Sequence, residues 1–286
     1  MTTINAESLL KMIAWMPGGF AIGELYPAID FRAASGRVLT SQTNWRTIWP
    51  ANSLYTFSTT PENMYVSSSS AADIGRIIFV AGLDGEFGRI SGFGITNGQN
   101  QSIVTSLPGA GIPLEFFRVN LALDVTLALN KATATGNMYI AALTTPVGGV
   151  PPVADTRAII SQGESRSSAI VYTTPAGYMF CPQFILSQDG SQQIQVRITS
   201  SPMTFSGSTL LYAPTSVIPV AVTIPGVTRT EFTPPAPIIA QQTDITLDVL
   251  GTSPVSGTCL CIMSGTLIDY RYIKNLRLGG ESPFLP

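Results

Sequence analysis

The chain has 286 residues, 45% of them apolar but only 11% charged, with a formal net charge of −2 and no histidine. That length suits one large β domain or two of ordinary size. The weak charge gives no electrostatic case for nucleic-acid binding, and the lack of histidine excludes every triad built on an imidazole base. Typical soluble domains carry roughly 25% charged residues. Here Ser, Thr, Asn, Gln and Gly take their place, and such a surface suits close, permanent packing against other subunits.

The first element in chain order is a helix over residues 6–16, "AESLLKMIAWM", with Asn5 as its cap and Leu9, Met12, Ile13 and Met16 on one stripe. Pro17, Gly18 and Gly19 stop it. The following "FAIGELYPAIDF" is apolar without strand alternation, so residues 1–44 read as a helix and arm. Residues 271–286, ending in "PFLP", read as a second arm. Neither arm is expected to bury its apolar groups by joining a sheet. The helix stripe is expected to pack on its own domain or on a neighbouring subunit, and Leu9, Met12, Ile13, Met16, Phe20, Tyr26, Phe284 and Leu285 are the candidate subunit-interface residues.

From about residue 45 the signals are those of strands. "WRTIWPANSLYTF" places Trp45, Trp49, Tyr55 and Phe57 close together, as a sandwich core or subunit interface does more often than a sugar platform. "YVSSSSAADIG", Tyr65 to Gly75, reads as a strand in an edge region followed by a loop. "GLDGEFGRISGFG" and the dipeptide Asp189-Gly190 carry hairpin turn signals. "NLALDVTLALN" sets Leu121, Leu123, Val125, Leu127 and Leu129 at period two. "QQIQVRITS" does so with Ile194, Val196 and Ile198, and "TDITLDVLG" with Ile245, Leu247 and Val249 opposite Asp244, Thr246 and Asp248. "TTPVGGVPPVADT", Thr144 to Thr156, cannot continue a central strand and divides the body. The expected architecture is all-β: two β-sandwich or jelly-roll-like domains over residues 45–145 and 156–270, with a short N-terminal helix and extended terminal arms.

Candidate chemistry is sparse. The serines have no histidine to activate them, and Lys11, Lys131 and Lys274 stand in no SxxK motif. The glycines around Asp84 lack the phosphate-loop pattern, and Asp84 and Glu86 lack calcium-loop spacing. Cys181, Cys259 and Cys261 are expected to be buried free thiols, the last two on one strand face. The 17 Asp and Glu form no clustered pair such as glycosidases need. The expectation is therefore no catalytic residue, no metal and no cofactor. Met1 to Glu7 carries no Lys or Arg and no segment approaches the roughly 20 apolar residues of a bilayer span, so a secretory leader and a membrane partner are not expected.

The order of phrases is itself informative. "GRVLTSQTNWRTIWPANSLYTF", "MYVSSSSAAD", "FVAGLDGEFGRISGFGITNGQNQSIVTSL", "FFRVNLALDV" and "NKATATGNMYIAAL" follow one another, and "QGESRSSAIVYTTPAGYM" with "QIQVRI" continues them. Over roughly residues 36 to 270 this pattern resembles a family of tailed-bacteriophage virion structural proteins. The insert after the serine run is shortened here, and the strand after GLD reads "GRISGFGIT". The resemblance implies a non-enzymatic virion component made in the host bacterial cytoplasm. Its role would be capsid decoration (cement) or, alternatively, a tail-associated structural or receptor-binding (fibre or baseplate) part. The implied partners are further copies in a homo-oligomer and either the major capsid protein or tail proteins, not nucleic acid or membrane.

Overall fold

Alternating apolar and polar residues need a partner sheet on one face, and the chain supplies two pairs of sheets. The computed structural model describes residues 29–39, 44–109, 111–128, 133–189, 194–206, 209–212, 215–223, 226–231, 238–251 and 258–269. Its first strands are β1 (Ile29–Leu39), β2 (Arg46–Thr47), β3 (Glu62–Ser68), β4 (Ile74–Leu83), β5 (Arg89–Asn97) and β6 (Ser102–Ile103). Next come β7 (Glu115–Phe116), β8 (Arg118–Asp124), one helical turn α1 (Val125–Ala128), β9 (Met138–Ala142), β10 (Thr156–Ile160) and β11 (Val171–Thr173). The last are β12 (Tyr178–Asp189), β13 (Ile194–Ser206), β14 (Thr209–Tyr212), β15 (Ser216–Thr223), β16 (Gly226–Glu231), β17 (Thr243–Gly251) and β18 (Thr258–Asp269). The fold is all-β and antiparallel, and no helix among the described residues is long and apolar enough to cross a membrane.

In the first unit the sheet β10-β9-β3-β6, with β7 also on β3, faces the sheet β5-β4-β8. Met64, Val66, Ile78, Val80, Met138 and Ile140 fill the space between them. Both edges of this sandwich are stitched. On one side Phe93 and Thr105 exchange backbone hydrogen bonds while Val104 N–H donates to the Met64 carbonyl. On the other, residues 165–168 run between β8 and β10, with Ser167 N–H on the Ala122 carbonyl and Ser168 N–H on that of Ile159. Backbone bonds thus bridge the two sheets on both sides, which covers part of each outer edge among the described residues.

The second unit packs β1-β18-β12-β16 on the sheet of β11, β17, β13 and β14, to which β15 and β2 add. Its core includes Ile194, Val196, Ile198, Ile245, Leu247 and Val249, the six residues expected to face inward. Cys259 and Cys261 point into the same core, their sulfurs 3.4 Å apart, and all three cysteines are buried thiols outside any disulfide. Burial alone pushes the Cys181 thiol up to about 11.

Several expectations are corrected. Residues 1–44 are not all helix and arm, because Ile29–Leu39 pairs along its full length with β18, Ile29 opposite Ile268. Arg46 and Thr47 pair with β17, so they belong to the second unit's sheet. Thr156–Ile160 pairs with β9 of the first unit, so the division between units falls after Ile160 and not at the prolines. The serine strand β3 is interior, with β9 on one side and β6 and β7 on the other. The hairpin expected at Asp189-Gly190 is not formed by the flanking strands: β12 pairs with β16 and β18, whereas β13 pairs with β14, β15 and β17.

The leucine alternation in β8 is also misread. A bulge places Val119 and Leu121 opposite the adjacent Gly82 and Ala81, which leaves Asn120 as the extra residue. One inserted residue reverses the facing, so Ala122, Asp124 and Thr126 are buried while Leu121, Leu123 and Val125 are only half-buried. The strand gives way to α1 at Val125 instead of running to Leu129. Gly82 permits the close approach, since a Cβ there would lie 1.8 Å from the Arg118 carbonyl oxygen. Asn120 uses its side chain as a short strand surrogate, donating to the Thr173 carbonyl at 3.1 Å and accepting from its N–H at 2.9 Å.

Ahead of the bulge, ordinary strand alternation sets Arg118 on the face opposite Val119, toward the second unit. Its Nε donates to Asp244 Oδ1 and its Nη2 to Oδ2, both at 2.8 Å, with side-chain exposures of 3% and 1%. Nη1 donates to the carbonyls of Ser58 and Phe117, and the guanidinium lies over the Phe117 ring at 3.9 Å. Around it Leu83, Phe87, Phe117 and Met203 form a small core shared by both units. A buried pair of this kind costs most when one partner is left alone. Arg118→Met should lower the unfolding free energy by about 3–5 kcal/mol in urea titration, and Arg118→Met with Asp244→Leu should recover most of that loss. Equal losses in the single and double variants would show that an orphaned carboxylate is not the cause.

Candidate interaction surface

The serine run lies at one end of the first unit, and each hydroxyl has a structural partner. Alternation along β3 points Ser67 away from Ser68, and both are buried before the chain turns at Ser69. Ser67 donates to the Gly149 carbonyl at 2.9 Å, and Ser68 donates to Asp73 Oδ2 at 2.7 Å. Ser69 Oγ accepts the Asn137 N–H, while Ser70 Oγ accepts the Ala72 N–H and hydrogen-bonds the Thr135 hydroxyl oxygen at 2.8 Å. These hydroxyls hook together the loops at residues 69–74, 133–137 and 147–150. The loop at 97–101 joins through Ser68 N–H on the Gly98 carbonyl and Gln99 Nε2 on the Ser69 carbonyl.

Asp73 is the anchor of the cluster. Its Oδ1 accepts from the Thr135 N–H and hydroxyl, and its Oδ2 from Ser68 and the Gly136 N–H. Burial raises its pKa, but these four bonds outweigh burial and hold the carboxyl below its ordinary value. The other charged group nearby, Arg76, is buried with its Nε on Asp124 Oδ2 at 2.9 Å. Among the described residues, the exposed part of these loops presents amides, hydroxyls and apolar side chains.

One loop of the cluster is a tight turn. Val147 and Val150 exchange both backbone hydrogen bonds around Gly148 and Gly149, whose φ values are +58° and +79°. Two positive φ angles in a two-residue turn demand glycine. A Cβ on Gly149 would also sit 1.8 Å from the Ser68 carbonyl oxygen. The turn tip is apolar and bare: Val147 is 84% exposed, and nearby Leu143 is 71%. Ile74, at the end of the loop that holds Asp73, is 68% exposed.

The remaining motifs serve the scaffold. Asp84 Oδ1 accepts the Glu86 and Gly88 N–H groups, closing the expected β4–β5 hairpin. Trp49, Tyr55 and Phe57 form a chain of edge-on rings spaced 5.0 and 4.9 Å, and Trp49 is fully buried with Tyr139 and Ile159. Tyr55 donates to the Arg157 carbonyl at 2.8 Å, and burial pushes its phenol pKa up. Trp45 is covered by the Arg197 guanidinium, 4.0 Å from its ring centroid. The interface candidates Leu9, Met12, Ile13, Met16, Phe20, Tyr26, Phe284 and Leu285 lie outside the described residues, as does the helix that holds the first four. Sequence reading missed Asp73, Thr135 and Val147. A Gly-Gly dipeptide between two valines is a hairpin signal that could have revealed the turn; nothing local links Asp73 to Thr135.

No protein-family model matches the sequence, and no curated protein matches it. Similarity to solved structures is low. A structure of infectious bursal disease virus, Gx strain, aligns at 11% identity over 84% of this chain and 76% of that one, with a TM-score of 0.22. The infectious bursal disease virus VP2 subviral particle aligns at 10% identity over 87% and 74%, with a TM-score of 0.24. Such values carry no site or partner over to this chain.

The anchor makes a direct prediction. Asp73→Asn keeps the size of the side chain but sets an NH2 group against donors, and should cost about 1–3 kcal/mol in chemical denaturation at neutral pH. Because the folded-state pKa is depressed, the carboxylate's contribution is complete above the unfolded value of about 3.9 and disappears as pH falls through the folded value. The gap between wild type and variant should therefore narrow in acid. A gap independent of pH would show that the charge of Asp73 is not what stabilises the loops.

Proposed function

We propose that this chain is a non-enzymatic structural component of a tailed-bacteriophage virion, seated on the capsid as a decoration protein. One observation carries the reading. The phrases on which the family resemblance rests are each spent on architecture. "VSSSSAAD" supplies the hydroxyls and carboxylate that gather four loops, "GLDGE" closes a hairpin, and "RVN" supplies Arg118 and Asn120, which join the two units. A pattern of residues that specifies a body without serving a reaction centre fits a part that is built into a particle. The low charge fits the same role, because neighbouring subunits then meet without burying unpaired ions.

The reading assigns the attachment to the apolar residues of the terminal segments, Leu9, Met12, Ile13 and Met16 together with Phe20, Tyr26, Phe284 and Leu285. Burying four such side chains on a neighbour is worth roughly 6 to 12 kcal/mol before ordering costs. Since β1 begins at Ile29, removal of residues 1–28 spares the sheet. That truncated chain should keep its far-ultraviolet β spectrum and lose incorporation into virions. Mass spectrometry of tailless heads and of whole virions tests the seat: the chain should occur in both. Finding it only in whole virions would replace the capsid position with the tail-associated one, and finding it in neither would end the virion reading.

A further inference from the structure

We infer that the outer face of the sheet β5-β4-β8 is the docking site of this chain's own residues 270–278, which continue from β18. The docking does not rest on the virion reading. That reading adds a use for Phe284 and Leu285, which would project from a segment held at its base. Strand alternation puts Ile78 and Val80 in the first unit's core, so Ile77 and Phe79 point the other way. Register carries this facing across the sheet: Ile77 lies opposite Ile95, and Phe79 opposite both Phe93 and Leu123. Leu121, opposite Ala81, continues the row on β8. The Phe79 and Phe93 rings meet at a centroid spacing of 5.4 Å. Ile77, Phe79, Phe93, Ile95, Leu121 and Leu123 thus form one apolar patch of half-buried side chains, and none of them belongs to the cores described above. An apolar sheet face of this kind is completed by an element laid over it.

The path of the chain selects the occupant. Arg89 has the same facing on β5 as Phe93 and Ile95, and its guanidinium lies over the Tyr178 ring, 4.3 Å from the centroid. Tyr178 is opposite Asp269, the last residue of β18. β18 therefore delivers the chain to the foot of the patch. β1, which follows residues 1–28, lies on the far side of β18 from β12. From Arg89 to Ile95 the strand covers about 20 Å, and the segment 270–278 spans at most about 30 Å when extended. That segment, "YRYIKNLRL", carries Tyr270, Tyr272, Ile273, Leu276 and Leu278, and Gly279-Gly280 follows it. Reach and apolar content both match the patch. A direct tether also gives the segment an effective concentration on the order of millimolar, which a second copy or any other apolar partner would have to match from solution.

The test uses the full chain with Phe93 replaced by the photoreactive p-benzoylphenylalanine. Irradiation should join this position to residues 270–278 within a single chain, read by peptide mass spectrometry of the monomer band. Joining to residues 1–28, to a second copy, or to no peptide at all would overturn the inference. A second measurement needs no label, because trypsin cleavage at Arg271, Lys274 and Arg277 follows the population of undocked segment. Phe93→Ser should speed that cleavage at least about tenfold relative to the bond at the buried Arg118, so that global unfolding does not count. Val217→Ser, at an exposed valine of the second unit, should leave it unchanged. Equal rates in wild type and Phe93→Ser would also overturn the inference. Neither result bears on whether the chain occurs in purified particles, so failure of the docking and failure of the virion role are distinguishable.

Discussion

The bidentate pair between Arg118 and Asp244 is the constraint on which the architecture turns. A guanidinium and a carboxylate this deeply buried are tolerable only when their hydrogen-bonding capacity is met. Meeting it requires parts from the whole chain: the Ser58 carbonyl ahead of β3, the Phe117 carbonyl beside β8, and the Thr173 hydroxyl at 2.6 Å from Asp244 Oδ1. The strand's alternation sends Arg118 to the second unit and Val119 to the first unit's core, and Asn120, the bulged residue next to them, adds its own bonds to Thr173 across the same seam. The two sandwiches therefore share a polar seam as well as the small apolar core of Leu83, Phe87, Phe117 and Met203. Relative motion of the units would have to break that pair, so they act as one body at this seam.

Hydroxyl groups do elsewhere what charges do in most proteins. At β17 the polar face is buried like the apolar one, and Asp248 accepts from Thr47, Thr199 and Arg197, tying β2 and β13 to the strand between them. At the serine end one carboxylate gathers four donors, one from the end of β3 and three from the loop at 133–137. In both places most of a buried Asp's donors are neutral: Ser, Thr and backbone N–H groups at Asp73, and two Thr hydroxyls beside Arg197 at Asp248. A neutral donor brings less desolvation cost than a second ion, so loops can be fixed without adding surface charge.

What the sequence made legible follows from the range of the forces involved. Period-two runs such as Ile194-Val196-Ile198 and Ile245-Leu247-Val249 named their core faces, because facing depends on the strand's own geometry. The Asp84 turn was legible for the same reason: its donors lie two and four residues away. The errors came where a distant partner decided the outcome. Asn120 bulges β8 against Gly82, which reverses a leucine pattern that is locally faultless. Ile29–Leu39 shows no useful alternation, yet it pairs with β18 more than two hundred residues later in the chain. Val147-Gly-Gly-Val150 was read as a break between domains, whereas it folds back onto Ser67 and Ser68. Asp73 and Arg118, the anchors of the two polar clusters, carry no local sign of their partners.

The bridged edges of the first unit limit how it can meet a neighbour. An open edge strand offers backbone donors and acceptors to any extended chain, and proteins commonly assemble by adding a strand there. Here Thr105 already bridges the edge of β5 at Phe93, and residues 165–168 bridge the edges of β8 and β10, so strand addition at these points would have to displace the chain's own backbone. Contacts by side chains on faces and loop tips need no such displacement. On a surface with so few charges those contacts are apolar or neutral hydrogen bonds, whose strength depends on fit more than on salt. Fit requires a surface that keeps its shape, and the serine hydroxyls, Asp73 and the two positive-φ glycines fix that shape before any neighbour arrives.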